Sequence, residues 1–416
     1  MAINIQNLFS RYYRDDLEKL IKLIAGNERI TWIRTINHFN RLNNQIHNYI
    51  ALVNLIGNVA DVQSLFTKVR SYCTPNTRLI VTYYNYLWEP VLKLAEILGL
   101  KEKQPALNWL TLEDIENLLY LSGFETVTKG QRLLLPLEIP LLSTLVNRYL
   151  ARLPLFDRLC LTNYIVARPV NFNTGSKYSV SIVIPARNEA GNINPLLVRL
   201  PQFAKNQETI IVEDHSKDDT WSLLQKESKK HKSKKLRIFR LTNGIGKADA
   251  VYFGIEKSRG DIIIILDSDL SVPPEELPKF YNALVENKGE FINGSRLVYP
   301  MEKESMRFLN LIANKLFSIV FSWTLNQRFT DTLCGTKAFY RKDFDRIKKL
   351  KKYFGSLDPF GDFNLIFGTV KLNLKVTEIP VRYRARIYGK SNIRRFSHGL
   401  MLFKMWLYAL KKFKFN

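Results

Sequence analysis

Residues 261–269 read Asp-Ile-Ile-Ile-Ile-Leu-Asp-Ser-Asp, and this run restricts the fold more than any other stretch. Four isoleucines and a leucine in unbroken series suit a central parallel strand, buried on both faces. The run stops at two carboxylates one residue apart, Asp267 and Asp269, and Pro273-Pro274 follows. Open α/β sheets collect ligands just beyond the carboxyl ends of their strands, so chemistry is expected here. Carboxylates flanking a single residue can approach one hard cation, and Mg²⁺ is commonly held by one or two carboxylates plus substrate phosphates. A polar turn that merely closes a buried strand accounts for these nine residues equally well.

The neighbouring segments tilt the balance. Val180-Ser-Ile-Val-Ile-Pro185 reads as a short buried strand feeding Ala186-Arg-Asn-Glu-Ala190 and then a helix over 192–200. A strand, a polar turn and a helix start make a nucleotide-site layout. A second strand over 209–212 ends in Glu213-Asp214, carboxylates suited to accept hydrogen bonds from a base or ribose. Asp218 and Asp219 read as plain helix caps as readily as ligands. A third strand over 234–241 leads to Gly244-Ile-Gly246-Lys247 at a helix start, where backbone N–H groups and a lysine could meet phosphates. That motif lacks the Walker spacing and is weak by itself.

Charge agrees with an anionic partner. The 416 residues carry 62 basic and 38 acidic side chains, net +24. Up to residue 170 there are 19 basic and 14 acidic residues, against 43 and 24 after it. Nucleotide diphosphates, lipid phosphates, head groups and nucleic acid are all candidates, but no aromatic-basic module for nucleic acid is present. Cys73, Cys160 and Cys334 lie far apart without metal-ligand spacing, which suits buried thiols in a reducing compartment. No secretory signal pattern opens the sequence and no segment reaches 18 uninterrupted apolar residues. Residues 308–325 and 399–410 come nearest, the latter running into Lys411-Lys412-Phe413-Lys414. Each suits a helix lying in a membrane interface, or equally an amphipathic helix facing a core.

The first half alternates helices and strands and is also α/β. The pattern predicts helices over 12–25, 59–71 and 89–98, with Gly99 closing the last. Thr111 and Asp114 match a capping box at the next helix start. Strands are expected over 53–57 and 76–84, with edge strands over 124–127 and 162–167. Val59-Ala-Asp-Val-Gln-Ser-Leu65, Tyr83-Tyr-Asn-Tyr-Leu-Trp-Glu-Pro90, Asn108-Trp-Leu110 and Ser122-Gly-Phe-Glu125 resemble the C-terminal half of a class I methyltransferase domain. That family holds S-adenosylmethionine on a glycine-rich turn, yet residues 1–60 contain only Gly26 and Gly57. Residues 1–170 therefore read as a truncated, partial Rossmann-like domain without its cofactor site, serving structure or docking. The polar stretch 169–179 is taken as the boundary to a domain over 171–395, followed by a basic amphipathic helix over 396–416.

Taken in order, Pro185-Ala-Arg-Asn-Glu189, Glu213-Asp214, Gly246-Lys247, Asp267-Ser-Asp269, Asn293-Gly-Ser-Arg296, Thr330-Asp-Thr-Leu-Cys-Gly-Thr-Lys-Ala-Phe339 and Arg384–Ser391 resemble family 2 glycosyltransferases of the GT-A fold, in particular dolichyl- and polyprenyl-phosphate sugar transferases. The resemblance implies an inverting, metal-dependent transfer of a sugar from a nucleotide-sugar donor to a polyprenyl-phosphate acceptor. It implies that Pro185, Arg187, Glu189, Glu213 and Asp214 hold base and ribose, with Lys247 near the nucleotide. Asp267 and Asp269 would hold Mg²⁺ or Mn²⁺ on the diphosphate, although Leu270-Ser271 stand where the family often has a further ligand, Gln. Arg296 and Arg307 would bind the acceptor phosphate, and Arg386, Tyr388 and Lys390 would close over donor and acceptor. Asp331 would position the acceptor, or act as base if the acceptor is a hydroxyl. Asp362 matches an acidic position of the family, while Asn364 replaces a frequent Glu. The implied setting is peripheral, at the cytoplasmic face of an anionic membrane. A hydroxyl acceptor on a glycan and a non-catalytic interaction protein are the competing readings; the sequence leaves the oligomeric state open.

Overall fold

The computed structural model describes residues 5–415 except 43–45, 100, 102–107, 171–177, 232–234, 243–245, 300–307, 351–357, 359–360, 387 and 390–394. Two compact units result, residues 1–171 together with 411–416, and residues 172–410. The basic helix expected over 396–416 is thus divided between them, its last lysines belonging to the first unit.

In the first unit, strands β1 (Ile30–Ile33), β2 (Tyr49–Val53), β3 (Arg78–Tyr84), β4 (Phe124–Arg132) and β5 (Thr162–Pro169) form one sheet in the order β1-β2-β3-β5-β4. The first three are parallel, and β5 pairs antiparallel with both β3 and β4. The expectation that 162–167 is an edge strand is therefore corrected: all eight residues of β5 are buried between two neighbours. Its Arg168, polar enough to suggest an edge, is buried against Glu125 at 2.8 Å. The strand expected over 53–57 lies earlier, because Asn54 adopts a left-handed φ of 50° that ends the extended chain, and a 3₁₀ turn follows at Ile56–Asn58. Local signals fared better at the helix ends. Leu112–Leu121 starts with both halves of the Thr111–Asp114 capping box, and Gly99 takes φ +68° after Glu89–Ile97. Such a cap contributes about 1 kcal/mol.

The second unit holds β6 (Val180–Ala186), β7 (Gln207–Asp214), β8 (Leu236–Leu241), β9 (Ile262–Ile265), β10 (Phe291–Ser295), β11 (Lys337–Tyr340) and β12 (Val376–Pro380). Their order is β12-β10-β11-β9-β6-β7-β8. β9 is central as its isoleucines require, parallel to β6 on one side and antiparallel to β11 on the other, with all four side chains buried. Burying one such side chain fully contributes about 1.5–3 kcal/mol before entropy is counted. β8, β7, β6 and β9 run parallel, so their carboxyl ends open on one edge of the sheet.

Helices Phe308–Leu325 and Arg395–Ala409 pack on each other in this unit, with Trp406 Nε1 donating to Thr324 Oγ1 at 3.0 Å. The last helix has two faces: Leu402, Met405 and Ala409 are buried, while Leu400, Phe403 and Leu407 are exposed. Ile312, Leu316 and Ile319 make a similar exposed stripe on its partner. Among the described residues no helix is long and apolar enough to cross a membrane.

Candidate active site

The open edge is built by three strand ends that lock one another. Beyond β6, Asn188 takes φ 57°; beyond β7, His215 takes φ 52°. Asn188 N–H donates to Ser216 Oγ at 3.0 Å, and Lys217 N–H returns to Asn188 Oδ1 at 2.7 Å. Ser268 Oγ donates to the Pro185 carbonyl at 2.9 Å, tying the end of β9 to that of β6. Asp218 proves to be a cap: it accepts from Ala190 N at 3.2 Å and Thr220 N at 3.1 Å, fixing the starts of two helices.

Asp267 and Asp269 stand at this edge, each holding a cation. Asp267 Oδ1 lies 2.6 Å from Lys247 Nζ, which begins the helix Lys247–Lys257. Burial alone would raise the Asp267 pKa, but Lys247, Lys337 and Arg296 outweigh it and hold the carboxyl below its usual range. Burial alone would lower Lys247, and Asp267 reverses that as well. The backbone at Gly335 passes so close that a Cβ there would collide with the Asp267 carboxylate. Asp269 is buried, accepts from Ser271 N at 3.0 Å and Ser271 Oγ at 2.6 Å, and pairs through Oδ2 with Arg386 Nη2 at 2.6 Å. Ser271 thus braces Asp269.

The residues expected to hold base and ribose converge unevenly. Asp214 Oδ1 is 2.7 Å from His215 Nδ1, and Arg187 Nη1 lies 3.8 Å from Oδ2. Glu189 accepts from Asn192 Nδ2 at 2.5 Å, and burial, with Asp269 and Asp267 adding to it, pushes its carboxyl up to about 7. Glu213 departs from expectation. It is fully buried, accepts from Ser216 N, and has Arg240 Nε 3.1 Å from its other oxygen without hydrogen-bond direction. Glu213 shapes the turn that presents Asp214 rather than facing a ligand.

Arg296 and Asp331 are paired with each other. Arg296 Nε donates to Asp331 Oδ2 at 2.6 Å and Nη2 to Oδ1 at 2.8 Å, with the guanidinium 5.0 Å over the Tyr383 ring. Asp331 is fully buried and also accepts from Arg296 N and Leu333 N. Burial would raise its pKa, yet Arg296 holds it below the usual carboxylate range. A carboxylate so held is a poor base, while the guanidinium keeps N–H donors beyond the two that Asp331 takes. In this structure the pair acts as a strut.

Sequence reasoning missed two further struts. Glu378 of β12 accepts from Thr330 N at 2.8 Å, Thr330 Oγ1 at 2.8 Å and Asn293 Nδ2 at 3.2 Å, clamping the loop that carries Asp331. Lys337, fully buried, donates to Asp362 Oδ1 at 2.7 Å beneath Asp267. A lysine inside an otherwise apolar strand was the available signal. Tyr388 arrives where it can act as a cover: its ring packs on Gly191, and its hydroxyl donates to Asp218 Oδ2 at 3.4 Å. Arg307 and Lys390 lie outside the described residues.

Residues 181–348 match Glycosyl transferase family 2. The dolichol-phosphate mannosyltransferase of Pyrococcus furiosus is 29% identical over 220 residues, 52% of this chain and 59% of that protein. The dolichol-phosphate mannosyltransferase of Saccharomyces cerevisiae is 36% identical over 109 residues, 25% of this chain and 40% of that protein. An undecaprenyl-phosphate 4-deoxy-4-formamido-L-arabinose transferase of Pseudomonas fluorescens is 30% identical over 174 residues, 40% and 48% of the respective chains. The chain thus spans less than two thirds of the length of these relatives. Among solved structures, glucosyl-3-phosphoglycerate synthase of Mycobacterium tuberculosis aligns with a TM-score of 0.41 at 17% identity, covering 58% of this chain and 83% of that one. A mannosyltransferase of Pyrobaculum calidifontis, solved with GDP-Man and Mn²⁺, aligns at 0.39 and 17%, covering 58% and 66%.

Proposed function

With a family 2 glycosyltransferase domain in its second unit, we propose that this chain is an inverting glycosyltransferase, moving a sugar from a nucleotide-diphosphate donor to a polyprenyl phosphate. The observation that carries the reading is the convergence of Asp214, Glu189, Lys247, Asp267, Asp269 and Arg386 on one open sheet edge of GT-A type. Asp214 and Arg187 would take base and ribose, and Lys247 the diphosphate. The carboxylates of Asp267 and Asp269 suit a divalent cation, and among the described residues no third acidic, His or Cys ligand gathers beside them. The remaining ligands must then come from donor phosphates and water, as is usual for Mg²⁺. When bound, the cation would neutralise charge growing on the departing diphosphate. Lys247 and Arg386 hold that place by charge alone and would exchange their carboxylate partners for phosphate oxygens. Arg386 and Tyr388 share one segment, which would then fold over the donor.

The locked state of Asp331 favours a phosphate acceptor over a hydroxyl. A phosphate monoester, second pKa about 6, is largely dianionic at neutral pH and attacks without a base. Its oxygen would bond to the anomeric carbon as the bond to the nucleoside diphosphate breaks, through an oxocarbenium-like state and with inversion. The first unit is read as a truncated methyltransferase-like domain with a docking role. Peripheral attachment to a membrane surface is part of the same reading, supported by the exposed stripes of helices Phe308–Leu325 and Arg395–Ala409. The test is a panel of nucleotide sugars offered with a short polyprenyl phosphate and a divalent cation. Labelled sugar should appear in the organic extract; hydrolysis alone, or transfer only to glycan hydroxyls, would refute the reading.

A further inference from the structure

The first unit spends backbone strain to expose leucines. Leu141 and Leu155 adopt φ of 64° and 78°, a region where an L-residue's Cβ crowds the neighbouring carbonyl, and their side chains are 81% and 73% exposed. Between them Leu142, Leu145 and Tyr149 are exposed as well. This is not a loose loop. Asn147 accepts from Leu135 N at 2.8 Å and donates to Leu135 O at 2.8 Å, while Ser143 Oγ accepts from Ile139 N at 2.8 Å. The polar groups turn inward to hold the segment, and the leucines stay outside.

Basic residues outnumber acidic ones in and beside this segment. Residues 133–160 with the chain end 411–416 carry six basic and two acidic side chains. The chain end is seated here: Arg148 Nε donates to the Phe415 carbonyl at 2.9 Å, and the Tyr149 and Phe415 rings are 5.4 Å apart. Lys414 is pushed down to about 8, by burial first and by Arg152 next.

We infer that this leucine-rich, net basic surface of the first unit inserts into the interfacial region of a bilayer bearing anionic phospholipids. Apolar side chains exposed on built turns supply insertion, and the exposed Arg148 and Lys411 meet lipid phosphates. Leu141, Leu142, Leu145, Tyr149 and Leu155, all exposed within one short segment, exceed the singly scattered apolar side chains of an ordinary surface, and excess positive charge favours an anionic occupant over a second copy of this equally cationic chain. The inference extends the membrane setting proposed above but does not depend on sugar transfer, because it is read without donor or acceptor.

The test is co-sedimentation of the full chain with vesicles of phosphatidylcholine alone or mixed with phosphatidylglycerol. Wild type should pellet with the mixed vesicles and much less with the neutral ones. Leu141→Glu, Leu145→Glu and Leu155→Glu should each weaken partition about tenfold, from the lost insertion of one leucine. Their thermal unfolding midpoints should match wild type, since these side chains have little core to lose. Tyr120→Glu and Val198→Glu, exposed apolar positions elsewhere, should bind as wild type does. Failure of wild type to bind, unaltered binding by the combined leucine variant, or its conversion of a wild-type dimer to monomers in light scattering would each overturn the inference. A failure of the glycosyltransfer assay alone would leave it standing.

Discussion

In the first sheet, the parallel strands β2 and β3 run out into Asn54, Tyr84 and Asn85; in the second, β6, β7 and β9 run out into Glu189, Asp214, Asp267 and Asp269. The amides of the first are consumed internally. Asn54 exchanges hydrogen bonds with Tyr13 at 2.8 and 3.0 Å, and Asn85 Nδ2 donates to the Arg158 and Cys160 carbonyls at 2.8 and 2.9 Å. Asn108 likewise closes on Ile56 and Val59. Asp267 and Asp269 of the second are paired instead with Lys247 and Arg386, side chains about one third exposed. A neutral amide that has satisfied its own unit makes a closed edge. A carboxylate whose partner can move to a phosphate makes a site, and the same α/β edge serves either purpose.

The largest break in that comparison comes from removing an exchangeable carboxylate. Asp269→Ala should lower transfer by about a hundredfold to a thousandfold, the scale of losing one electrostatic contact to a developing charge. Its thermal unfolding should stay close to wild type, because Arg386 can turn to water. Turnover measured at saturating Mg²⁺ or Mn²⁺ that remains near normal would remove Asp269 from the metal site.

Asp331→Ala should break stability rather than chemistry. It strands Arg296 in the interior, and breaking a buried pair costs about 3–5 kcal/mol, read as a shifted denaturant midpoint. Asp331→Asn keeps the shape, and the folded fraction should retain the wild-type pH–rate profile. Loss of a basic limb from that profile would restore Asp331 as a general base.

These two residues mark where sequence reading succeeds and where it stops. The run at 262–265, the box at Thr111 and Asp114, and the carboxylates at strand ends are visible because each is a local pattern with a local cause. Arg296–Asp331, Lys337–Asp362 and Arg386–Asp269 bring together residues 35, 25 and 117 positions apart, and no periodicity encodes which cation a carboxylate will meet. The interior place of β5 stayed hidden likewise, since Arg168 looks solvent-facing until Glu125 is beside it.

A smaller effect concerns Glu189, whose folded pKa of about 7 lies above its ordinary value of 4.5, through burial first and the neighbouring aspartates next. The folded state therefore holds this proton more tightly than the unfolded chain does. Its contribution is fully present below the unfolded pKa and is lost as pH rises from about 4.5 towards 7. Allowing for partial solvent access, the loss should be about 1–2 kcal/mol. Glu189→Gln should flatten that part of the stability–pH curve in urea titrations without added metal. An unchanged slope would place the responsible proton elsewhere.

The smallest expected effect is none at all, and it tests the closed edge directly. S-adenosylmethionine added to the full chain should give no saturable heat in titration calorimetry. At the ends of β2 and β3, a cavity of about 30 Å³ is lined by Asn54, Tyr83, Tyr84, Asn108 and Trp109. That is room for a water or two, whereas small-molecule pockets run to about 300–1,000 Å³. Opening it would mean breaking the Asn54–Tyr13 and Asn108–Val59 hydrogen bonds, each about 1 kcal/mol net and more if the buried partner stays unpaired. Close approach to a nucleoside also needs backbone without Cβ, and Gly57 alone stands in this lining. Asn54→Gly would loosen the turn but supply neither volume nor a partner for a ribose, so it too should show no binding. Micromolar, saturable binding to the wild-type chain would mean that this edge opens as the other does, and that satisfied amides do not close a site.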